Sequence, residues 1–192
     1  MKWFTNAKIA VKLIAGYLCV AIIIGAVGFI GLLNLNKIIV ADRQLYEENT
    51  LGLDYASNAA NYYHRIRFDL ARILALDDEN KEKKYIDEID GFFSKAEGFL
   101  KLYNDGITTD TDRELFDKIK PQWDVYKSLI NNALSYLKSK DHDSAEAILY
   151  GEASVVGDAL EDSFYKLLDY NASVAAARSQ QNKKLATTSA II

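Results

Sequence analysis

Three arginines fall close together in this chain, Arg65, Arg67 and Arg72, and two of them, Arg65 and Arg72, stand seven residues apart. That spacing puts Arg65 and Arg72 on one helical face, outside the seam used by Ile66 and Ile73. A guanidinium fork matches a carboxylate with two parallel hydrogen bonds, so paired forks on one face suit anion binding. The same arginines serve equally well as surface ion-pair partners of Asp69 or of a neighbouring helix, each pair contributing about 0–1 kcal/mol. Catalytic chemistry has no comparable candidate. His64 and His142 lie in different elements, with no HExxH or His–Cys pairing. Cys19 is the single cysteine, which excludes a disulfide framework and a cysteine zinc site. Carboxylate pairs such as Asp87–Glu88 and Asp110/Asp112 read as solvated faces and helix caps. The chain therefore reads as a non-enzyme, with no cofactor and no metal.

The elements that must position the arginines are long helices. One proline in 192 residues is far below the usual share of roughly 5%, and proline is what an uninterrupted helix avoids. No strand alternation and no internal repeat stands out. Four stretches step by three and four residues. The first runs Ile38, Leu45, Ala56, Ala59, Tyr63, Ile66, Leu70 and Ile73, with Asp42, Asn49 and Gly52 as weak positions. The second runs Ile86, Ile89, Phe93, Ala96, Leu100 and Tyr103, and the third Phe116, Ile119, Trp123, Tyr126, Ile130, Ala133 and Leu137. The fourth runs Ala153, Val156, Leu160, Phe164, Leu167, Asn171 and Val174. A period near 3.5 is a seam packed against neighbouring helices at shallow angles.

Punctuation separates the stretches. Asp77-Asp78-Glu79-Asn80 divides the first two, and Asn104-Asp105-Gly106 stops the second. Thr111-x-x-Glu114 offers a capping box for the third helix and Asp143-x-x-Glu146 one for the fourth. Gly151 and Gly157 mark a kink or a short separate turn at the start of the fourth helix. Pro121 falls inside the third stretch and is expected to kink it. Short connections make consecutive helices antiparallel. The fold class is all-α: an antiparallel up-down-up-down four-helix bundle with an N-terminal transmembrane helix continuous with the first bundle helix. Residues 9–76 as one helix would measure about 100 Å.

Leu13 to Asn36 carries no charge over 24 residues. About 20 apolar residues span a hydrocarbon core of ~30 Å, whereas a cleaved signal peptide has an apolar run of only about 7–15. Lys2, Lys8 and Lys12 precede the span, Lys37 and Arg43 follow it, and the bias places the N-terminus inside. Trp3, Phe4 and Tyr17 suit the inner interface as aromatic anchors. Gly25, Gly28 and Gly31 suit close helix approach in lipid. Residues 37–184 then carry 20 basic against 27 acidic side chains, net −7, as befits a soluble external domain. Mild acidity, pI near 5.3, gives no reason to expect nucleic acid as a partner. The expected order is 1–12 as cytoplasmic N-terminus, 13–36 as transmembrane helix, 37–184 as extracytoplasmic bundle, and 185–192 as the start of a second span that a longer protein continues.

The opening, MKWFTNAKIAVKLIAGYLCVAIIIGAVGFIGLLNLNKI, resembles the start of bacterial methyl-accepting chemotaxis proteins. So does LYEENTLGL…YYHRIRFDLARILALDD. The stretch DRELFDKIKPQWDVYKSLINNALSYL, with SAEAILYGEA after it, resembles the four-helix-bundle sensor domain of that family. The resemblance covers essentially the whole chain. It implies a homodimeric receptor in the cytoplasmic (inner) membrane that detects a small molecule, carboxylate-bearing or delivered by a binding protein. A HAMP linker and a signalling coiled coil would follow, and contact with cytoplasmic signalling proteins would run through them. In the aspartate-type receptors, arginines of the first sensor helix hold a ligand carboxylate at the dimer interface, which points to Arg65, Arg67 and Arg72 as ligand-binding residues. The same sensor attached to a histidine kinase or diguanylate cyclase is the alternative, and a non-sensing structural bundle is the alternative from another class.

Overall fold

The computed structural model describes residues 8–75 and 78–189. Six α-helices account for nearly all of them: α1 (Ile9–Gln44), α2 (Leu51–Ala75), α3 (Glu79–Gly106), α4 (Asp110–Lys138), α5 (His142–Tyr150) and α6 (Glu152–Ser189). A π-helical turn, Leu45–Thr50, joins α1 directly to α2, with the Thr50 hydroxyl donating to the Leu45 carbonyl at 3.2 Å. No strand occurs among the described residues. The first expected helix break falls partly on Asp77, and Lys2, Trp3, Phe4 and the last residues of the expected second span also lie outside the described residues.

Two compact units result. One comprises the chain up to Gln44 together with the residues from Arg178 onward; the other is Leu45–Ala177. Within the first unit, α1 buries no side chain, and Leu18, Ile22, Ile24, Phe29 and Leu32 are each more than 60% exposed. A long helix with an apolar run over most of its length and no buried side chain is suited by length and composition to cross a membrane. Arg178 donates to the backbone carbonyl of Gln44 at 3.3 Å inside this unit.

The second unit is the bundle, built from α2, α3, α4 and the first part of α6, with α5 as a short insert. Ring pairs give the helix directions. Tyr55 meets Phe99 and Tyr62 meets Phe92, so α2 and α3 run antiparallel. Tyr103 stacks on Phe116 while Phe93 meets Trp123, which makes α3 and α4 antiparallel too. Tyr63 packs on Phe164, and Gly52 lies against Asn171, so α6 returns antiparallel to α2. At the centre, Tyr63, Phe93, Trp123, Tyr126 and Phe164 come from all four helices, and Trp123 meets Phe93 and Phe164 edge-on. Such offset and T-shaped pairs add about 0.5–1.5 kcal/mol beyond the area they bury.

The seams are those of the sequence pattern for α2, α3 and α4: Ala56 to Ile73, Ile86 to Tyr103 and Phe116 to Leu137 are all buried. On α6, Ala153, Leu160, Phe164, Leu167 and Asn171 are buried, whereas Val156 and Val174 are half-exposed. Gly157 takes the inward place beside Val156. A Cβ there would stand 3.2 Å from the Tyr63 hydroxyl and 3.3 Å from the Tyr126 ring.

Both expected capping boxes lie one half-turn too late. The N-cap of α4 is Thr109, whose hydroxyl accepts from the Asp112 amide at 3.3 Å, rather than Thr111. The N-cap of α5 is Asp141, accepting from the Ser144 amide at 3.1 Å, rather than Asp143. In each case a cap-competent residue two positions earlier captures the orphan amides first, so the helix has already begun. The turn at Gly151 separates α5 from α6. A Cβ at Gly151 would come within 2.5 Å of the Ala147 carbonyl, which restricts this corner to glycine. The helix α4 continues through Pro121, which is exposed. Pro121 has no N–H to give the Asp117 carbonyl, and at this exposed position solvent can take its place.

Candidate functional site

The three arginines of α2 divide between two faces. Arg65 and Arg72 turn toward α3. The Arg65 guanidinium lies 5.7 Å from the Tyr62 ring centre and 5.5 Å from that of Phe92. The Arg72 guanidinium lies 4.1 Å from Phe68 and 5.2 Å from Tyr85. Both flank an open groove of about 520 Å³, bordered also by Asp69, Glu88 and Lys95. Lys95 itself stands 5.5 Å from the Tyr62 ring. Aromatic faces beneath these cations fix their positions by cation–π attraction, about 0.5–1 kcal/mol each where exposed.

Charge in the groove runs against the chain as a whole. Arg65, Arg72 and Lys95 face two carboxylates there, leaving a local excess of one positive charge, whereas the chain carries −4. One of those carboxylates, Asp69, is 4% exposed and accepts from Arg72 at 3.4 Å. Burial pushes the Asp69 carboxyl above its usual range, Glu88 adds to that, and Arg72 acts in the opposite direction. The groove thus offers a carboxylate or phosphate two guanidinium forks and an ammonium, all on an aromatic floor.

Arg67 lies apart from this groove. It points toward α6, where it pairs with Glu161 and, at 3.3 Å, with Asp158. It also donates to the Tyr63 hydroxyl at 3.0 Å. That hydroxyl in turn donates to the Gly157 carbonyl at 2.7 Å. Burial raises the Tyr63 phenol to about 12, with Arg67 opposing the shift. Arg67 already has its anions within the chain, so the arrangement serves to hold α2 to α6.

Lys95, Glu88 and Phe92 were absent from the sequence reading of the site. They reach it from α3, and pairing across helices leaves no trace in the spacing along one helix. A second polar cluster, Tyr103, Asp112 and Asn171, is buried at the end of the bundle where α3 turns into α4; Tyr103 and Asn171 stand on the expected seams, whereas Asp112, expected on a solvated face or cap, is buried because it accepts from the Tyr103 hydroxyl. Among the described residues no group of His, Cys, Asp and Glu is placed to hold a metal ion.

On α2 the outward residues Asp54, Ser57, Asn61, His64, Phe68, Ala71 and Ala75 repeat the three–four spacing of a packing seam, yet all are exposed. Phe68 is 58% exposed.

A family model described as a four-helix-bundle sensory module for signal transduction matches residues 6–186. A protein of Acetivibrio thermocellus described as a sensory transducer is 29% identical over 127 residues. The match takes in 66% of this chain and 23% of that relative, so the chain corresponds to about a quarter of the longer protein.

Proposed function

The chain belongs to the four-helix-bundle sensory modules for signal transduction found in chemotaxis transducers, and from that membership we propose that it senses a small anion outside the cytoplasmic membrane. In this reading residues 13–36 cross the membrane, residues 37–184 lie outside, and residues from 185 begin the return span. The ligand carries a carboxylate, arrives free or on a binding protein, and binds between Arg65, Arg72 and Lys95. The observation that carries the reading is the local reversal of charge over an aromatic floor, since an acidic domain elsewhere repels such a ligand.

The receptor acts as a homodimer through the exposed stripe of α2, which brings two copies of the basic groove to one assembly. Ligand binding favours one of two packings of the helices, and α6 carries the difference inward as a displacement of about 1–2 Å. A ligand that binds only one packing shifts the balance by its difference in affinity for the two.

The test is a thermal-shift screen of amino acids and small organic acids against the wild-type chain, Arg65→Ala and Arg72→Ala. Binding at a hundredfold excess over Kd stabilises the native state by roughly 2.7 kcal/mol. At least one carboxylate should raise the wild-type melting temperature, with the shift largely lost in both variants. Equal stabilisation of all three proteins would place the site elsewhere.

A further inference from the structure

The core of the bundle is mostly apolar and aromatic; besides Asp69, Ser163 and the buried Tyr63–Gly157 hydrogen bond, its polar groups gather at one level, to which every bundle helix contributes. Gly52 comes from α2, Tyr103 from α3, Asp112 from α4 and Asn171 from α6. Tyr103 is 3% exposed, Asp112 8% and Asn171 1%. The Asn171 amide donates to the Tyr103 hydroxyl at 2.5 Å and to the Leu167 carbonyl at 3.0 Å. The Tyr103 hydroxyl donates onward to the Asp112 carboxylate. Gly52 leaves room for the amide: a Cβ there would sit 3.4 Å from Asn171 Oδ1 and 3.6 Å from the Tyr103 ring.

A second link runs beside the first. The Tyr170 hydroxyl lies 3.0 Å from the hydroxyl of Thr109, the N-cap of α4. Thr109 also receives the Asp112 amide, so the two links share the α3–α4 corner. Two successive residues of α6 are therefore hydrogen-bonded to one fixed turn.

Apolar side chains on a seam can slide past one another at small cost, because dispersion and burial are not directional. Hydrogen bonds are directional, and a buried donor or acceptor that loses its partner is penalised. A single buried asparagine on an apolar seam is how helical assemblies fix register. We infer that this layer is the latch that sets the axial and rotational position of α6 against the α3–α4 corner. Asn171 and Tyr170 are its moving parts, and Tyr103, Asp112 and Thr109 its keeper. The inference rests on the reading above that α6 carries the signal: a displacement of α6 against the α3–α4 corner has to break or remake this layer, as one against α2 has to strain the Tyr63–Gly157 bond, whereas levels packed by apolar side chains alone yield to it.

The experiment measures α6 directly and uses no ligand, so it stands or falls separately from the anion screen. Cys19→Ser removes the native thiol, and spin labels go on Ser94→Cys of α3 and Ser173→Cys of α6, both exposed positions. Pulsed dipolar spectroscopy is run on the full chain in lipid nanodiscs, with the labelled chain diluted in excess unlabelled chain so that the distance within one protomer is read. The latch predicts one narrow distance for the otherwise native chain. It predicts a shift of about 1–2 Å or a second population for Asn171→Leu, and a smaller change of the same sign for Tyr170→Phe, which cuts one link and keeps the core intact. Leu160→Ala, an apolar change on the same helix, should lower the melting temperature while leaving the distance where it was. Unchanged distances in both latch variants would overturn the inference, as would a shift in Leu160→Ala equal to theirs. Should Asn171→Leu fail to fold, Tyr170→Phe decides alone.

Discussion

Tyr63 of α2 donates its hydroxyl hydrogen bond to the backbone carbonyl of Gly157 of α6 at 2.7 Å, and that carbonyl is reachable because residue 157 has no side chain. The ring is fully buried, and the hydroxyl also accepts from Arg67. One phenol thus joins a helix backbone, an ion-pair network and the aromatic core.

Gly157→Ala should lower stability by about 1–3 kcal/mol, the usual cost of forcing a methyl group into a packed site. Tyr63→Phe should cost about 1 kcal/mol, because the hydroxyl's bonds to the Gly157 carbonyl and from Arg67 are both lost. Urea titration of the full chain checks both. The glycine change should also disturb the Tyr126 ring, 3.3 Å from the new Cβ, in near-ultraviolet circular dichroism.

Alkali should unfold the protein through its buried phenols. Tyr63 is raised from 10.0 to about 12 by burial, and burial raises Tyr103 and Tyr126 as well. Below pH 10 both folded and unfolded Tyr63 keep the proton, and its contribution is intact. Between pH 10 and about 12 only the unfolded state releases it, so stability falls as pH rises. Melting temperatures across that window should decline, and the slope should be shallower in Tyr63→Phe.

Arg67→Ala should separate structure from sensing. Its side chain is 39% exposed, so the loss of the pairs with Glu161 and Asp158 is a modest destabilisation of about 1 kcal/mol. Any carboxylate that binds at Arg65 and Arg72 should keep its affinity in this variant, whereas Lys95→Ala should weaken it. Isothermal titration with the screened acid reads both.

Cysteine scanning of α2 in membranes should trace the dimer. Cross-links are expected at Ser57, Asn61, His64, Phe68 and Ala71, the exposed stripe, and not at Ala59, Ile66 or Leu70, which face the bundle's own core. Equal cross-linking at both sets, or at neither, would remove α2 as the contact.

The seams of α2, α3 and α4 were readable from spacing because each of these helices buries one stripe, and a stripe is a property of one sequence segment. The α6 seam was read less completely, since Gly157 carries no apolar signature and becomes a core position only through Tyr63 and Tyr126. The capping-box pattern puts the helix starts at Thr111 and Asp143, two residues later than Thr109 and Asp141. A capping box is a local pattern, and Thr109 and Asp141 satisfied the first amides without one. The arginines were legible as a group but not as a division: nothing in RIRFDLAR tells that Arg67 meets Glu161 while Arg65 meets Phe92. Those partners lie in other helices, ninety-four and twenty-seven residues away.

Trp123 sits where α3, α4 and α6 meet, 2% exposed, with its indole N–H given to Glu97 at 3.3 Å. The sequence holds one other tryptophan, Trp3, ahead of the apolar run. The bundle therefore carries a native optical reporter at its centre. Its emission responds to the dryness and polarity around one ring, so a repacking of the three helices would register as a change of colour or brightness without any added label. Trp3→Phe leaves that signal as the only indole emission in the chain, so the two helix packings proposed above would be distinguishable in a cuvette.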